Sequence, residues 1–230
     1  MKAIMKIKRN SLILLLLISS ISYSQERTIN LGDFTILKVF NGLSLELVRS
    51  DEQKIIISGE KKKNVTVKNT NGKLKVFLNF PEVYDDERVK IKLFYKEDID
   101  ILDANEGAAI FSDEVFKQQN VTIRSQEGAY IHIVLDVPFL TVKAVTGGNI
   151  RLRGTAKNQE VEVTTGGVYD SYELLTENSD VTCASGAIAE VNVSSFLEAK
   201  VRFGGKIYYK GDPERVTRQK VIGGTIKNKG

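Results

Sequence analysis

A stretch of ten residues, VTGGNIRLRG at positions 145–154, decides the fold of this chain. Its glycine pair recurs in TTGGVY, ASGAIA, RFGGKI and VIGGTI at a spacing of 19 residues, and QEGAYI and NEGAAI extend the series upstream. A phosphate-binding glycine loop opens a helix, whereas each pair here precedes an alternating strand pattern. We therefore interpret the pairs as structural corners, beginning at Gly107, Gly128, Gly147, Gly166, Ser185, Gly204 and Gly223.

A column of large residues accompanies the corners. The residue three positions after each corner is Ile in six of the seven repeats and Tyr in the remaining one. Short alternating runs lie on both sides of each corner. Alternation predicts strands with one buried face, and the short period predicts a β-solenoid rather than a sandwich or a propeller, whose blades need about 40 residues. Because coils stack at about 4.8 Å, the column is expected to form an internal ladder of Ile110, Ile131, Ile150, Tyr169, Ile188, Ile207 and Ile226.

The region 25–100 lacks this period and is predicted to be a cap. It contains alternating runs interrupted by Asn-Gly at Asn41 and Asn71, a dipeptide typical of β-hairpins. We therefore expect an antiparallel or mixed β cap over residues 25–100, covering the open edge of coils that occupy residues 101–230. At the other end, Lys227 and Lys229 are expected on the last strand, where their charges discourage edge-to-edge stacking.

Residues 1–24 read as a secretory signal peptide. Four basic residues precede a short apolar run, and Ser22 and Ser24 occupy the small-residue positions before a cleavage point. The run is too short for the roughly 20 residues of a membrane span, and no later run is long enough, so no transmembrane segment is expected in the mature chain. A cleavage-site lipid anchor would need a cysteine there, and the only cysteine is Cys183.

Removal of the leader also removes the net charge. The chain has 33 basic and 29 acidic residues, and without the four basic residues of the leader it has 29 of each. Nucleic-acid binding requires clustered positive charge, so this composition gives it no support. We expect an exported protein of the periplasm or the cell surface.

These features resemble the putative auto-transporter adhesin, head GIN domain family of exported bacterial proteins. The resemblance is carried by FTILKVFNGLSLELV at 34–48, by the TGG, SGA and FGG corners, and by YYKGDPERVTRQKVIGGTIKNKG at 208–230. It covers about residues 32–229, so that residues 25–230 would form one continuous domain. The resemblance implies an all-β, right-handed parallel β-helix with coils of about 19 residues. It implies no catalytic residues.

The residues that could support catalysis are few. The only histidine, His132, is expected to point outward, and Cys183 is expected to be a small buried side chain without a catalytic partner. Paired carboxylates could make the chain a polysaccharide-active lyase or hydrolase, but the later coils carry no inserted loops to build a cleft. No metal or cofactor is expected. The candidate acids, otherwise solvated loop residues, are Asp103, Glu106, Asp113 and Glu114, with Asp85, Asp86 and Glu87 in a separate loop.

The outward positions beside the ladder give the candidate binding surface. Tyrosine and arginine are favoured at recognition surfaces because they combine contact area with hydrogen bonds, although an ordinary polar sheet face would show the same alternation. We expect a non-enzymatic, adhesin-like module that presents this face to a cell-surface glycan or an envelope protein, with a polysaccharide-active enzyme and a periplasmic envelope scaffold as alternatives. The candidate contact residues are Tyr130, His132, Arg151, Arg153, Tyr172 and Tyr208.

Overall fold

The computed structural model describes residues 26–79 and 89–230, so the expected leader and the acidic residues Asp85, Asp86 and Glu87 lie outside the described part. The fold is all-β, as predicted, with a single 3-10 turn at Lys62–Asn64 among the described residues. The strands are β1 (Arg27–Asn30), β2 (Ile36–Val39), β3 (Ser44–Arg49), β4 (Lys54–Ser58), β5 (Val65–Thr70), β6 (Lys73–Leu78), β7 (Lys90–Tyr95), β8 (Ile101–Ala104), β9 (Ala109–Lys117), β10 (Asn120–Gln126), β11 (Tyr130–Val145), β12 (Asn149–Val163), β13 (Val168–Ala184), β14 (Ile188–Arg202), β15 (Lys206–Lys210), β16 (Arg215–Val221) and β17 (Thr225–Asn228).

The strands form a β-solenoid of about seven turns, which confirms the predicted architecture. Each coil has a strand segment before the glycine corner, on what we call the back face, and one after it, on the front face. The two segments meet again at a second bend, within β11, β12, β13 and β14. The front face comprises β3, β9, residues 130–137, 149–156, 168–176 and 188–193, then β15 and β17, all in parallel register.

Each glycine corner consists of two successive residues in the left-handed conformation. In the coil of the opening stretch, Thr146 has φ 49° and Gly147 has φ 73°. The Gly147 amide donates to the Thr165 carbonyl of the next coil at 3.1 Å, and the Gly128 amide donates to the Thr146 carbonyl at 3.2 Å. The corners are therefore hydrogen-bonded to one another along the solenoid, and glycine meets the backbone requirement of the second position without strain.

The fifth corner and its ladder residue are shifted by one position from the prediction. Gly186, not Ser185, matches the other corner glycines, and Ala189, not Ile188, pairs with Tyr169 and Ile207 in the buried ladder. Ile188 is half-buried on the outer side. The cause is an extra residue in β13, which is accommodated by a bulge between Ser171 and Leu175, so a constant spacing of 19 loses phase there.

The other ladder positions lie where they were expected. Ile110, Ile131, Ile150, Tyr169 and Ile207 are fully buried, and Ile226 in the last coil is partly buried against the core.

The N-terminal cap is mixed, as predicted, but one of its two Asn-Gly turns is not a hairpin. Asn71-Gly72 joins the antiparallel pair β5 and β6. Asn41-Gly42 instead joins β2 and β3, which do not pair with each other but lie parallel to β8 and β9. Parallel stacking thus begins at Ile36, within the region 25–100. Antiparallel pairing of β4 with β1 and β7 closes this end.

Charged side chains of the last coil protect the C-terminal end of the solenoid. In β16, Arg218 and Lys220 occupy the inward phase, because they pair with the buried Ala199 and Val201. Arg218 covers the ring of the buried Tyr209 at 5.7 Å and donates a hydrogen bond to its hydroxyl. Inward-facing charges on a terminal strand oppose edge-to-edge association, and Lys227 in β17 and Lys229 just after it add to this effect.

The tyrosine of the ladder is tied to polar partners across the core. The buried Tyr169 hydroxyl donates to Gln159 Oε1 at 2.8 Å, and Gln159 Nε2 donates to Ser179 Oγ at 2.8 Å. Burial raises the pKa of Tyr169, which keeps the hydroxyl protonated. This bond satisfies a polar group of the back face from the front face.

Replacing Tyr169 by phenylalanine should therefore lower the free energy of unfolding by about 1–3 kcal/mol, because the Gln159 carbonyl oxygen loses its partner in the core. Tyr130→Phe, on the outer side of the same face, is the matched control and should stay within about 0.5 kcal/mol of the parent. Urea unfolding followed by circular dichroism measures both. Equal stability of the two variants would show that the buried bond contributes nothing.

Candidate functional site

The six predicted contact residues all lie on the outer side of the front face. His132, Arg151 and Asp170 are successive partners in the parallel register, and the same row continues through Glu190, Tyr208 and Lys227. Tyr130 pairs with Asn149 one row away, and Arg153 pairs with Val134. Neighbours in a row are about 4.8 Å apart, so side chains separated by 19 residues in the sequence meet on one surface.

Ion pairing occupies part of this surface. Arg151 Nε lies 3.1 Å from Asp170 Oδ2, and both side chains are partly exposed. Burial, followed by the neighbouring Asp170 carboxylate, raises the pKa of Glu190. Burial and then the Glu190 carboxylate raise the pKa of Tyr172 to about 12. The row therefore places two carboxylates side by side, and one of them, Asp170, engages Arg151.

Two lysines cover the tyrosine rings. Lys210 Nζ lies 4.6 Å from the centre of the Tyr172 ring, and Lys229 Nζ lies 4.8 Å from that of Tyr208. Such cation–π contacts hold the rings against the sheet. The role of Lys229 was missed from the sequence, because this residue lies beyond the last strand and was interpreted only as an edge charge.

His132 and Arg153 differ from the rest of the face. His132 Nε2 and Arg153 Nε are inaccessible to solvent and have no hydrogen-bond partner within the protein. The Tyr130 ring stands edge-on to the imidazole at 6.3 Å. Burial and then the positive charges of Arg153 and Arg151 lower the pKa of His132, so the imidazole is neutral at pH 7. The site thus offers two polar groups that the fold leaves unsatisfied.

The lowered pKa of His132 has a measurable consequence. As pH falls through about 6.5, the usual pKa of histidine, the unfolded chain takes up a proton that the folded chain still excludes. Stability should therefore decline between pH 6.5 and the folded-state pKa, and His132→Asn should remove this part of the decline. Because His132 is the only histidine, NMR of the imidazole protons gives its titration directly. A midpoint at or above 6.5 would contradict the expectation.

Three of the acids considered for catalysis join the first coil to the cap instead. Asp103 is buried, not solvated; its Oδ2 lies 2.5 Å from Lys38 Nζ, and its Oδ1 accepts from Asn105 Nδ2 at 3.0 Å. Glu106 accepts from Asn41 Nδ2, and Glu114 accepts from the backbone amide of Arg49 at 2.8 Å. The contacts with Lys38, Asn41 and Arg49 each span 65 residues of sequence, which is why no local pattern revealed them.

Asp103→Asn should lower the free energy of unfolding by about 2 kcal/mol or more, because the Lys38 ammonium loses its buried counterion. The exposed Asp113 provides the matched control, and Asp113→Asn should change stability by less than about 0.5 kcal/mol. Thermal unfolding of the two variants measures both changes in stability. A harmless Asp103→Asn substitution would show that the ion pair is dispensable.

The remaining candidate groups are placed as follows. Cys183 is a buried free cysteine, and burial raises the pKa of its thiol to about 11, which opposes formation of a thiolate. In the described part of the chain, no three or more His, Cys, Asp or Glu side chains are grouped so as to hold a metal ion. Residues 26–79 and 89–230 contain no apolar helix of membrane-spanning length.

A groove of about 480 Å³ lies at the second bend, away from the front face. Its polar side chains are largely engaged: Asp136 is 2.7 Å from Lys117 and accepts from Thr155 at 3.2 Å, and Asn192 donates to the Tyr172 carbonyl at 3.1 Å. Because the front face gathers partly exposed tyrosine and arginine side chains, it is the stronger candidate for binding.

The fold is a parallel β-solenoid whose front face carries tyrosine and charged side chains. Residues 33–213 match the family model described as "Putative auto-transporter adhesin, head GIN domain". The chain belongs to this family, which confirms the resemblance found in its sequence.

Solved structures of similar fold support the assignment. A putative adhesin from Bacteroides fragilis superposes with a TM-score of 0.81 at 18% identity, covering 89% of this chain and 96% of the other. A protein from Parabacteroides distasonis described as a putative lipid binding protein gives 0.69 at 16% identity, covering 88% and 96%. A putative adhesin from Parabacteroides merdae gives 0.68 at 19% identity, covering 90% and 96%. No curated protein matches the chain. At these identities the similarity establishes the fold.

Proposed function

We propose that this chain is a non-enzymatic, adhesin-like binding module that contacts a glycan or a protein with the outer side of its front face. Export by the leader at residues 1–24, to the periplasm or the cell surface, is part of the proposal and agrees with the adhesin-type family. The observation that carries it is the set of partly exposed tyrosine and arginine side chains that the coil register gathers on one face, around the buried and unpaired His132 Nε2 and Arg153 Nε. A ligand would contact the exposed parts of these rings and guanidinium groups, which stack and donate hydrogen bonds.

The geometry favours binding over a chemical step. Tyr130, Tyr172 and Tyr208 offer partly exposed rings, and Arg151 and Arg153 offer donors at the fixed spacing of the coils. Of the acids considered in the sequence, Asp103, Glu106 and Glu114 are engaged by the cap. On the face itself, Asp170 is paired with Arg151. The face therefore resembles a preorganised recognition surface, which binds without paying to order its side chains.

A glycan array probed with the exported protein tests the proposal, with envelope proteins as a second set of probes. Arg153→Gln and Tyr130→Ala should each weaken binding about tenfold, because they remove a central donor and a central ring. Lys143→Gln is the matched control: Lys143 lies on the back face, exposed and 2.8 Å from Glu162, and its loss should leave affinity within about twofold.

A reducing-end assay on every glycan that binds separates the alternatives. Product that accumulates with time would overturn the non-enzymatic proposal and favour a polysaccharide-active enzyme. Specific capture of an envelope protein through the back face would favour the scaffold. Binding that is equally strong in Arg153→Gln and Tyr130→Ala would remove the front face as the contact surface.

A further inference from the structure

The glycine corners of the last two coils differ from all those before them. The first left-handed residue is Glu106, Glu127, Thr146, Thr165 or Ser185 in five coils, and it is Phe203 and then Ile222 in the final two. Bulky and β-branched residues are genuine outliers in this region of backbone conformation, where asparagine or glycine is favoured. Phe203 has φ 48° and Ile222 has φ 56°.

These strained residues gain nothing from burial. Phe203 is 57% exposed, Ile222 is 72% exposed, and Val221 between the two corners is 49% exposed. The Phe203 amide donates to the Val221 carbonyl at 3.1 Å, so the residues adjoin on neighbouring coils. We call Phe203, Val221 and Ile222 the apolar tip. Strain and apolar exposure at one place, without a packing reason, indicate a contact made with something outside the chain.

The charge around the tip indicates what that partner is. Residues 200–230 contain nine Lys and Arg but two Asp and Glu, whereas residues 101–199 contain six basic and fourteen acidic residues. Arg202 and Lys220, both exposed, directly flank Phe203 and Val221 in the chain, and Arg202 also pairs with Val221 across the strands. The solenoid is therefore electrically polar along its axis, with its basic end surrounding exposed apolar groups.

We propose that the apolar tip docks on an anionic lipid surface, with Phe203 and Ile222 entering the interface and Arg202 contacting the headgroups. Lys220, which faces the open end of the solenoid, adds to the positive charge beside the tip. Apolar residues bordered by cations are the combination that binds anionic membranes peripherally. A second copy fits less well, because two such basic ends repel each other. The tip residues line none of the described grooves and are about half or more exposed, which suits a lipid surface better than a segment of another protein. Both the surface and the partner differ from those of the proposed function.

Docking in this way would orient the molecule. The acidic coils, residues 101–199, are repelled by the surface that attracts the basic end, so the front face around His132 and Arg153 would stay free for its own ligand.

Vesicle co-sedimentation tests the proposal directly. The probe is the exported protein, with its tag placed directly after residue 24. Its measured mass shows that the leader has been removed and cannot bind lipid. Vesicles of phosphatidylethanolamine with about 30% phosphatidylglycerol should bind it at least about tenfold more tightly than phosphatidylcholine vesicles, and about 0.5 M salt should abolish the difference.

The decisive variant is Phe203→Asn combined with Ile222→Asn. It should lose about tenfold in vesicle affinity while its unfolding temperature stays unchanged or rises, because asparagine accepts the left-handed conformation. Thr146→Asn combined with Thr165→Asn makes the same change at other corners and should bind like the parent. Arg202→Gln and Lys220→Gln should each weaken binding about fivefold.

Three results would overturn the proposal. The first is full vesicle binding by the Phe203→Asn, Ile222→Asn variant. The second is equal affinity for the anionic and the neutral vesicles, or no binding to either kind of vesicle. The third is a concentration-dependent dimer that this variant abolishes, which would make the tip a contact between two copies. Glycan binding by the front face is measured separately and does not depend on any of these outcomes.

Discussion

The structure depends on the parallel backbone ladder that joins each coil to the next. Every strand amide and carbonyl along the ladder is directed at a neighbouring coil about 4.8 Å away, and even the corner amides, such as that of Gly147, take part. Like positions are therefore stacked on like positions, apolar ones inside and polar ones outside. A single extra residue, as in β13, must be absorbed by a bulge so that the ladder can resume its register.

The same ladder makes a binding surface out of residues that are remote in sequence. A row such as His132, Arg151 and Asp170 is assembled by register alone, and its spacing is a property of the backbone. Within the row, Arg151 neutralises Asp170. His132 Nε2 and Arg153 Nε remain without hydrogen-bond partners just beneath this face. A rigid sheet can hold such groups in place because the strands beneath them cannot collapse to pair them.

Both ends of a β-solenoid expose an unpaired strand, and this chain covers its N-terminal and C-terminal ends in different ways. At the N-terminal end antiparallel strands, a buried Lys38–Asp103 pair and hydrogen bonds across 65 residues attach the cap to the first coil. At the C-terminal end, Arg218 covers Tyr209 and the charges of the last coil discourage further strands.

The sequence by itself determined the solenoid, its coil length, most of its ladder and the outward row of tyrosine and arginine, because a backbone repeat imposes a matching repeat of side chains. It could not set the phase at Ser185 and Ile188, since a bulge leaves no local signal. Nor could it distinguish Asn41-Gly42 from Asn71-Gly72: both pairs have the same left-handed geometry, and only the strands available for pairing make one a corner and the other a hairpin. Burial of Asp103, the Tyr169–Gln159 bond and the gathering of Phe203 with Ile222 were decided by the tertiary structure, because each joins residues of different strands or coils.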